Sequence, residues 1–374
     1  MKKRHLASLA ALLLLVSGTS ILPAGATHVA ADAEGMDILY NSQNTNKLTN
    51  SDLAFWGDHA YAGNYNGFRI FDISDPSSPT LVGEFFCNGR QGDVSVWDRD
   101  GDGQADILFL SVDDVMEDES CTASRKTSKF KKNDWEGIRV IDISDPESPF
   151  IIDNLYQDCG SHTHTLVPDP EDDRVLLYNA SYSLRSGPTC GPGNSAGRDP
   201  LHGVIQVSEV SWDASDPLAG ATAVEIAEPP INYPGDSDNK FEPSQHGFEG
   251  FNPLRACHDI AVFMELNLVA GACVEQAQLW AMDPVTLLPN TVTPLWTFDN
   301  PEDTDGPGGG DAAADFWHSA TFSWDGKIVN FSDESFGEGC PPVTNITDPD
   351  ASVQGESDTG RTYFLRVNDG ALLS

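Results

Sequence analysis

The chain has 374 residues and carries 58 Asp and Glu against 21 Lys and Arg, for a formal net charge of −37 at pH 7. So acidic a chain repels phosphate backbones and anionic membrane surfaces, and we therefore expect no nucleic-acid partner. Beyond the N-terminus, no apolar run reaches the roughly 20 residues of a membrane span.

The N-terminus predicts export. A basic start, MKKRH, precedes an apolar run that ends in small residues at Ala24-Gly25-Ala26. This order is typical of a secretory signal peptide, so we predict that residues 1–26 are removed and that the mature chain is secreted or otherwise extracytoplasmic, with no stable membrane insertion after cleavage. Retention as a membrane anchor is the alternative. An N-terminal segment, 27–46, then leads into a folded domain over 47–374.

One short sequence is written twice. GFRIFDISDP begins at Gly67 and GIRVIDISDP begins at Gly137. Each reads as a glycine, a β-branched or aromatic strand, and a turn in which Asp bonds backbone amides and Pro presets φ. Weaker copies begin at Gly203, Ala277 and Gly360.

A hairpin with an acidic turn precedes each copy. The five hairpins span residues 51–64, 92–111, 162–181, 258–273 and 318–334. A hairpin and the copy that follows it supply four strands, which make one blade of a β-propeller. The sequence therefore predicts an all-β fold, a β-propeller with four-stranded blades, of which five are visible. A pair of β-sandwiches is the alternative, and it does not explain the double repeat.

The pattern G-x-R-[IV]-x-D-I-S-D-P resembles the repeat of LVIVD-repeat proteins, a family of exported β-propellers. The resemblance is close in the copies at Gly67 and Gly137, loose in the other three, and extends over 47–374. It implies a ring of about seven blades and no assigned chemistry. Strand-like MDILYNS (36–42) could close a five-bladed ring. We favour the other interpretation, an incomplete seven-bladed ring in a chain that is cut short.

Seven cysteines in an exported chain predict disulfides. Order along the chain suggests the pairs Cys87–Cys121, Cys159–Cys190 and Cys257–Cys273. Each would staple a loop or neighbouring strands of one repeat. Cys340 is left over, with a partner that the sequence does not identify.

An acidic loop, DRDGDGQAD, connects the strands of the second hairpin. Asp98, Asp100 and Asp102 alternate along it, and Asp106 follows at the ninth position. Carboxylates on a tight loop, with the Gln104 carbonyl, supply the roughly six to eight oxygens that Ca²⁺ binds. The loop lacks the twelfth-position Glu of an EF-hand and resembles the shorter calcium hairpin loop of integrin-type propellers. We expect a structural Ca²⁺ here, with a metal-free acidic turn as the alternative.

Histidines recur at one position of three hairpins. His162, His258 and His318 each lie seven residues before an acidic turn residue, at the start of the innermost strand of a blade. His164 follows on the same strand face. Converging imidazoles suit a transition metal such as Cu, Zn or Fe, so we predict a candidate metal or ligand site at the central channel. Packing of each histidine against the neighbouring blade is the alternative.

No motif specifies a reaction. The chain has no serine-hydrolase elbow, P-loop or HExxH, so no catalytic residue is assigned. We therefore predict an exported scaffold that binds a protein or a small molecule and is stabilised by calcium and disulfides. The alternative is a metal-dependent oxidoreductase or hydrolase that uses the histidine cluster.

Overall fold

β-Strands make up nearly all the regular structure of the described residues. The computed structural model describes residues 39, 49–181, 203–212, 221–234, 256–273, 276–299, 317–333 and 362–373. The chain separates into two compact units, 1–41 and 42–374, and of the first only Leu39 is described. The predicted signal peptide lies outside the described residues. Within them, no helix is long and apolar enough to cross a membrane.

The described strands form five antiparallel sheets. The first sheet contains β1 (Asn50–Trp56), β2 (His59–Asn64), β3 (Gly67–Asp72) and β4 (Thr80–Phe86). The second contains β5 (Val94–Trp97), β6 (Ile107–Met116), β7 (Trp135–Asp142) and β8 (Phe150–Tyr156). The third contains β9 (Thr163–Asp169), β10 (Arg174–Ala180), β11 (Gln206–Trp212) and β12 (Ala221–Ala227).

The last two sheets complete the series. The fourth contains β13 (Asp259–Phe263), β14 (Leu268–Cys273), β15 (Gln276–Ala281) and β16 (Trp296–Asp299), with a 3₁₀ turn at Met264–Leu266. The described part of the fifth contains β17 (Trp317–Phe322), β18 (Ile328–Asp333) and β19 (Thr362–Arg366). Strands pair in chain order within every sheet, so each predicted hairpin and the copy after it do form one blade.

The blades pack face to face, as the β-propeller prediction requires. Innermost strands lie side by side in the order β1, β5, β9, β13 and β17. The apolar core lies between sheets: Phe68 packs with Leu110 across the first and second blades, and Tyr178 with Trp280 across the third and fourth. The second, third and fourth blades therefore bury both of their faces, the first and fifth each bury the face toward their described neighbour, and the fold is an all-β propeller with five described blades.

Carboxylates on the innermost strands tie consecutive blades together. Three backbone N–H groups donate to a carboxylate of the preceding blade: Val94 to Asp52 (3.3 Å), His164 to Asp93 (2.7 Å) and Ala320 to Asp259 (3.2 Å). Burial raises the pKa of Asp52 to about 6 and that of Asp259 to about 7. Asp52 and Asp259 therefore join blades at an electrostatic cost that grows as the pH rises.

The repeated turn has the chemistry that its sequence predicts. In the first copy the Asp72 carboxylate accepts the backbone N–H of Ser74 at 2.8 Å, and in the second Asp142 accepts that of Ser144 at 3.0 Å. The glycine that opens the first copy, Gly67, has φ +127°, and a Cβ there would lie 1.9 Å from a backbone oxygen of β4. Only glycine fits this position, so the repeat is structural.

Two of the predicted disulfides are present, Cys87–Cys121 and Cys257–Cys273. Cys159 is also disulfide-bonded, while its predicted partner Cys190 lies outside the described residues, as does Cys340. The first disulfide attaches the insertion between β6 and β7 to the loop that follows β4. It therefore anchors the insertion to the connection between the first and second blades.

Candidate functional site

Three histidines from three consecutive blades meet at the start of the innermost strands. His162 immediately precedes β9, His258 immediately precedes β13, and His318 lies in β17. The Nε2 atoms of His162 and His258 are 3.0 Å apart. The rings of His258 and His318 have centroids 3.9 Å apart and are inclined at 35°. We call these three residues the histidine group.

The histidine group is a chain of contacts and not a closed three-ligand cage. Across the described ranges, one set of three His, Cys, Asp or Glu side chains places a ligand atom of each within 4.8 Å of the others, and that set is in the acidic loop. The arrangement as it stands offers two converging nitrogens, Nε2 of His162 and Nε2 of His258.

The histidine group is electrically neutral at pH 7 in at least two of its members. Burial lowers the pKa of His258 well below its ordinary value, and the neighbouring His162 and His318 lower it further. Burial and His162 lower the pKa of His318 to about 4. A neutral imidazole keeps one nitrogen lone pair for a hydrogen bond or a metal ion.

Asp113 of the second blade and Gln91 of the loop before that blade orient His162, and the sequence did not identify either. The carboxylate Oδ2 of Asp113 lies 3.0 Å from Nδ1 of His162, and the Gln91 side-chain amide lies 3.2 Å from its Nε2. Asp113 accepts the Nδ1 proton, which directs Nε2 toward His258. A signal existed for Asp113: two adjacent acids, 113 and 114, interrupt the apolar strand β6.

His164 does not join the histidine group, contrary to the prediction that it shares the site. Its ring lies against the second blade, where Nε2 contacts the Ser95 hydroxyl at 2.7 Å and Nδ1 contacts the Ser111 hydroxyl at 2.8 Å. Asp93 lies 3.1 Å from the same Nδ1. His164 is inside regular strand β9 while His162 precedes it, so the two side chains reach different surroundings.

The acidic loop brings together three of its five predicted calcium ligands, Asp98, Asp100 and Asp106. The two oxygens of Asp98 accept the backbone N–H groups of Gly101 at 2.7 Å and Gly103 at 2.9 Å. Oδ1 of Asp98 keeps a second lone pair that can bind a cation, whereas Oδ2 also accepts the indole N–H of Trp56 at 3.3 Å. Burial raises the pKa of Asp106, and the carboxylates of Asp100 and Asp98 raise it further.

Of the other two predicted ligands, Asp102 lies outside that group of carboxylates, and Gln104 was predicted to bind through its backbone carbonyl. Asp102 is exposed and its Oδ1 accepts the backbone N–H of Gln104 at 2.8 Å. The loop therefore supplies a compact tricarboxylate site, which fits the oxygen chemistry of Ca²⁺.

Comparison with known proteins supports the repeat. The LVIVD-repeat family model matches residues 49–86 and 133–155, which contain all four strands of the first blade and the outer two of the second. This match confirms the predicted LVIVD resemblance in its two close copies. No curated protein sequence matches the chain.

Solved structures with a similar arrangement share little sequence with the chain. A nidogen/laminin complex is 8% identical over 87% of this chain and 79% of that one, with a TM-score of 0.42. A functionally unknown protein from Desulfotomaculum acetoxidans is 10% identical over 80% and 68%, with a TM-score of 0.42. A β-propeller domain of Cps50 (Swd1) from Myceliophteria thermophila is 9% identical over 87% and 86%, with a TM-score of 0.38.

Proposed function

We propose that this LVIVD-repeat β-propeller is an exported binding scaffold whose ligand site is the histidine group. One observation carries the proposal: imidazoles from separate blades converge until two ring nitrogens, on His162 and His258, are 3.0 Å apart. Residues 96 positions apart in the chain are thereby aimed at one point. In a propeller, several blades can contribute side chains to one inner site, and the rigid ring holds those side chains in place for a ligand.

The chemistry of the site favours a divalent d-block cation such as Zn²⁺ or Cu²⁺, alone or carrying a further ligand. Imidazole nitrogens bind Zn²⁺ at about 2.0–2.1 Å, so two of them on a tetrahedral ion lie about 3.3 Å apart, close to the spacing found here. A bound cation would replace the proton shared by the two Nε2 atoms. The Asp113 carboxylate behind His162 is the outer partner that metal-binding histidines generally have.

Zinc titration of the mature protein tests this site. In 150 mM salt with Ca²⁺ present to occupy carboxylate sites, we expect one Zn²⁺ per chain bound by wild type. His162→Gln and His258→Gln each remove one of the two converging nitrogens and should weaken binding by about tenfold or more. Equilibrium dialysis gives the affinity, and the visible spectrum of the Co²⁺ form reports nitrogen coordination.

His59→Gln is the matched control, since His59 lies on β2 of the first blade, away from the histidine group, and should leave zinc affinity unchanged. Equal weakening by His59→Gln and His162→Gln would show that bulk acidity binds the metal. Unchanged zinc content in both group variants would overturn the histidine site.

A metal-dependent oxidoreductase or hydrolase at the same place is the second candidate, and one contact favours it. The Asp113–His162 hydrogen bond orients an imidazole as general bases are oriented. Activity assays decide between the candidates. The enzyme is supported if the zinc form turns over ester or phosphate substrates, or the copper form takes up oxygen, and if His162→Gln abolishes that activity. Metal binding without such turnover supports the scaffold.

Export and calcium belong to the same proposal. Two disulfides in the structure support export, because thiols stay reduced in the cytosol. The converging carboxylates of Asp98, Asp100 and Asp106 support a structural Ca²⁺ at the hairpin of the second blade. The ion would neutralise a turn whose like charges repel one another in a chain of net charge −37.

Removal of one calcium ligand should abolish calcium-dependent stabilisation. Saturating Ca²⁺, at about 100 times its Kd, is expected to stabilise wild type by about 2.7 kcal/mol, and Asp100→Ala should lose nearly all of that gain. Thermal unfolding with Ca²⁺ and with chelator measures it. Glu171→Ala removes an exposed acid from the corresponding turn of the third hairpin and should keep the full response. A response in Asp100→Ala equal to that of wild type contradicts the calcium site.

A further inference from the structure

A pocket of about 430 Å³ lies next to the histidine group, between the loop after β4 and the insertion between β6 and β7. Its polar lining comprises Tyr65, Asn66, Asn88, Arg90, Asp114 and Arg125. Two pairs of consecutive residues connect pocket and histidine group. Asp113 and Gln91 contact His162, while the adjacent Asp114 and Arg90 line the pocket.

Two guanidinium groups in this pocket share a single carboxylate oxygen. Nη1 of Arg90 lies 3.4 Å from Oδ2 of Asp114, and Nε of Arg125 contacts the same atom. A guanidinium has five N–H donors, so this ion pair uses only a small part of either. Their side chains are 37% and 38% exposed, which leaves the other donors open to the pocket.

Neutral polar groups in the same lining are also unused. Within the described part of the chain, neither the Asn66 side-chain amide nor the Tyr65 hydroxyl makes a hydrogen bond to protein. The Arg90 guanidinium lies over the Tyr65 ring, 5.8 Å from its centroid. The pocket thus combines two cations, an amide, a hydroxyl and an aromatic face.

The walls of the pocket are held in place before any ligand binds. The Cys87–Cys121 disulfide joins the two loops that form it. Arg90 has φ +69°, a conformation that L residues rarely adopt, and its backbone N–H donates to Tyr65 O at 3.0 Å. The Asn88 side chain donates to Ala123 O at 3.1 Å across the same gap. Fixed walls lower the entropy cost of binding.

The electrostatic balance of the pocket favours an anion. Two cations face one carboxylate, and burial together with Asp113 raises the pKa of that carboxylate, Asp114. The insertion that carries Arg125 also presents exposed lysines at 129, 131 and 132. The insertion, 117–134, carries five Lys and Arg against four Asp and Glu, so its charge is nearly balanced and the attraction for an anion comes from Arg90 and Arg125 at the pocket itself.

We propose that this pocket binds a hydroxylated organic carboxylate of sugar-acid size. The carboxylate pairs with Arg90 and Arg125, whose planar forks match it in bidentate geometry, and hydroxyl groups reach the Asn66 amide and the Tyr65 hydroxyl. A space of 430 Å³ is within the usual range for small-ligand pockets, roughly 300–1,000 Å³. The site is separate from the histidine group and does not depend on metal binding there.

Titration of the full mature protein with D-galacturonate tests the proposal, with D-galactose as the neutral control of the same shape. We expect galacturonate to bind in the millimolar range or tighter and galactose to bind at least about tenfold more weakly, because only the acid meets the guanidiniums. Trigalacturonate is titrated in parallel. Its tighter binding would identify a polymer as the source of the carboxylate, and equal or weaker binding would identify a free sugar acid.

Matched variants separate the pocket from general charge. Arg125→Gln and Arg90→Lys should each weaken galacturonate binding by about tenfold, the second because Lys keeps the charge but lacks the fork. Lys132→Gln removes an exposed cation of the same insertion and should change affinity by about twofold or less. Equal binding of galactose, or equal weakening by Lys132→Gln and Arg125→Gln, overturns the proposal. His162→Gln should leave galacturonate binding unchanged.

Discussion

Arg139→Met is expected to lower the free energy of unfolding by about 3–4 kcal/mol. Arg139 is the arginine of the second repeat copy and is completely buried in β7. Its guanidinium donates to Glu119 O, to Asn154 Oδ1 at 2.9 Å and to Asn88 O at 3.4 Å. It also lies 4.5 Å from the centre of the Trp135 ring.

The size of this effect follows from what the substitution leaves behind. Three part-buried oxygens, on Glu119, Asn154 and Asn88, lose a donor at about 1 kcal/mol each, and the cation–π contact with Trp135 is lost as well. One term opposes the loss. Burial lowers the pKa of Arg139 to about 10, because desolvation disfavours the charged guanidinium. Removing that charge therefore offsets part of the loss in the free energy of unfolding.

Arg69→Met provides the internal control, because Arg69 holds the same position of the first copy. Arg69 donates to Asn50 Oδ1 at 3.1 Å and lies 5.2 Å from the Phe71 ring centre, with 9% of its surface exposed. We expect a loss of about 1 kcal/mol. Urea unfolding of both variants measures the difference. Equal losses of stability would mean that the contacts common to both repeat arginines account for the whole effect, and that the bonds of Arg139 to Glu119 and Asn88 contribute nothing.

Glu136→Gln is expected to stabilise the protein by about 3 kcal/mol at pH 8.5 and by less than about 1 kcal/mol at pH 5. Glu136 lies on β7 with 3% of its surface exposed, and one of its carboxylate oxygens, Oε1, has no hydrogen-bond partner in the described structure. Burial, together with the charges of Asp113, Asp114 and Asp134, raises its pKa to about 8.

The sign follows from proton binding in the two states. Between the unfolded pKa of about 4.5 and the folded value of about 8, native Glu136 holds a proton that the unfolded chain releases. Stability therefore falls as the pH rises through this window. Asp259 and Asp52, with pKa values raised to about 7 and about 6, act in the same direction. The side-chain amide of the Glu136→Gln variant carries no charge, so the variant avoids this loss of stability.

Glu147→Gln makes the same chemical change on the exposed turn between β7 and β8 and should alter stability by less than about 0.5 kcal/mol at either pH. Urea unfolding at pH 5 and pH 8.5 compares the three proteins. A loss of stability in Glu136→Gln at pH 8.5 would mean that the carboxylate is charged and paired with a bound cation. An equal gain at both pH values would show that packing, and not ionisation, is responsible.

The two buried residues of β7 also bear on the pocket and the histidine group. Arg139 holds Asn88 O and Glu119 O, which belong to the two loops that enclose the pocket. Glu136 lies close enough to Asp113, the partner of His162, for the Asp113 charge to raise the Glu136 pKa. Stability measurements on these variants therefore need to precede any interpretation of altered ligand binding.

Local sequence patterns were sufficient to predict the blades. Alternating strands, the Asp-Ile-Ser-Asp-Pro turn and an obligatory glycine at Gly67 are decided within about ten residues, where backbone sterics and side-chain-to-backbone hydrogen bonds act. Because those units repeat, their order also predicted strand pairing. The Cys87–Cys121 and Cys257–Cys273 pairs were predictable for a related reason, since each joins cysteines that are consecutive along the chain, 34 and 16 positions apart.

The repeat also predicted where His162, His258 and His318 begin their strands, and that equivalence brought them together. The sequence did not predict which residues these histidines contact. The Asp113–His162 bond spans 49 positions and the His162–His258 contact spans 96. Such contacts depend on how two blades are rotated against each other, which no local pattern specifies.

The chain by itself therefore determined its architecture, its repeat positions and its local disulfides, because these follow from short-range geometry applied five times. The tertiary structure alone decided that His164 turns toward Ser95 and Ser111, that Glu136 is buried among carboxylates, and that Arg90 and Arg125 face one pocket. Burial and charge proximity are properties of packed blades, and they set the pKa values and the unused hydrogen-bond donors on which binding depends.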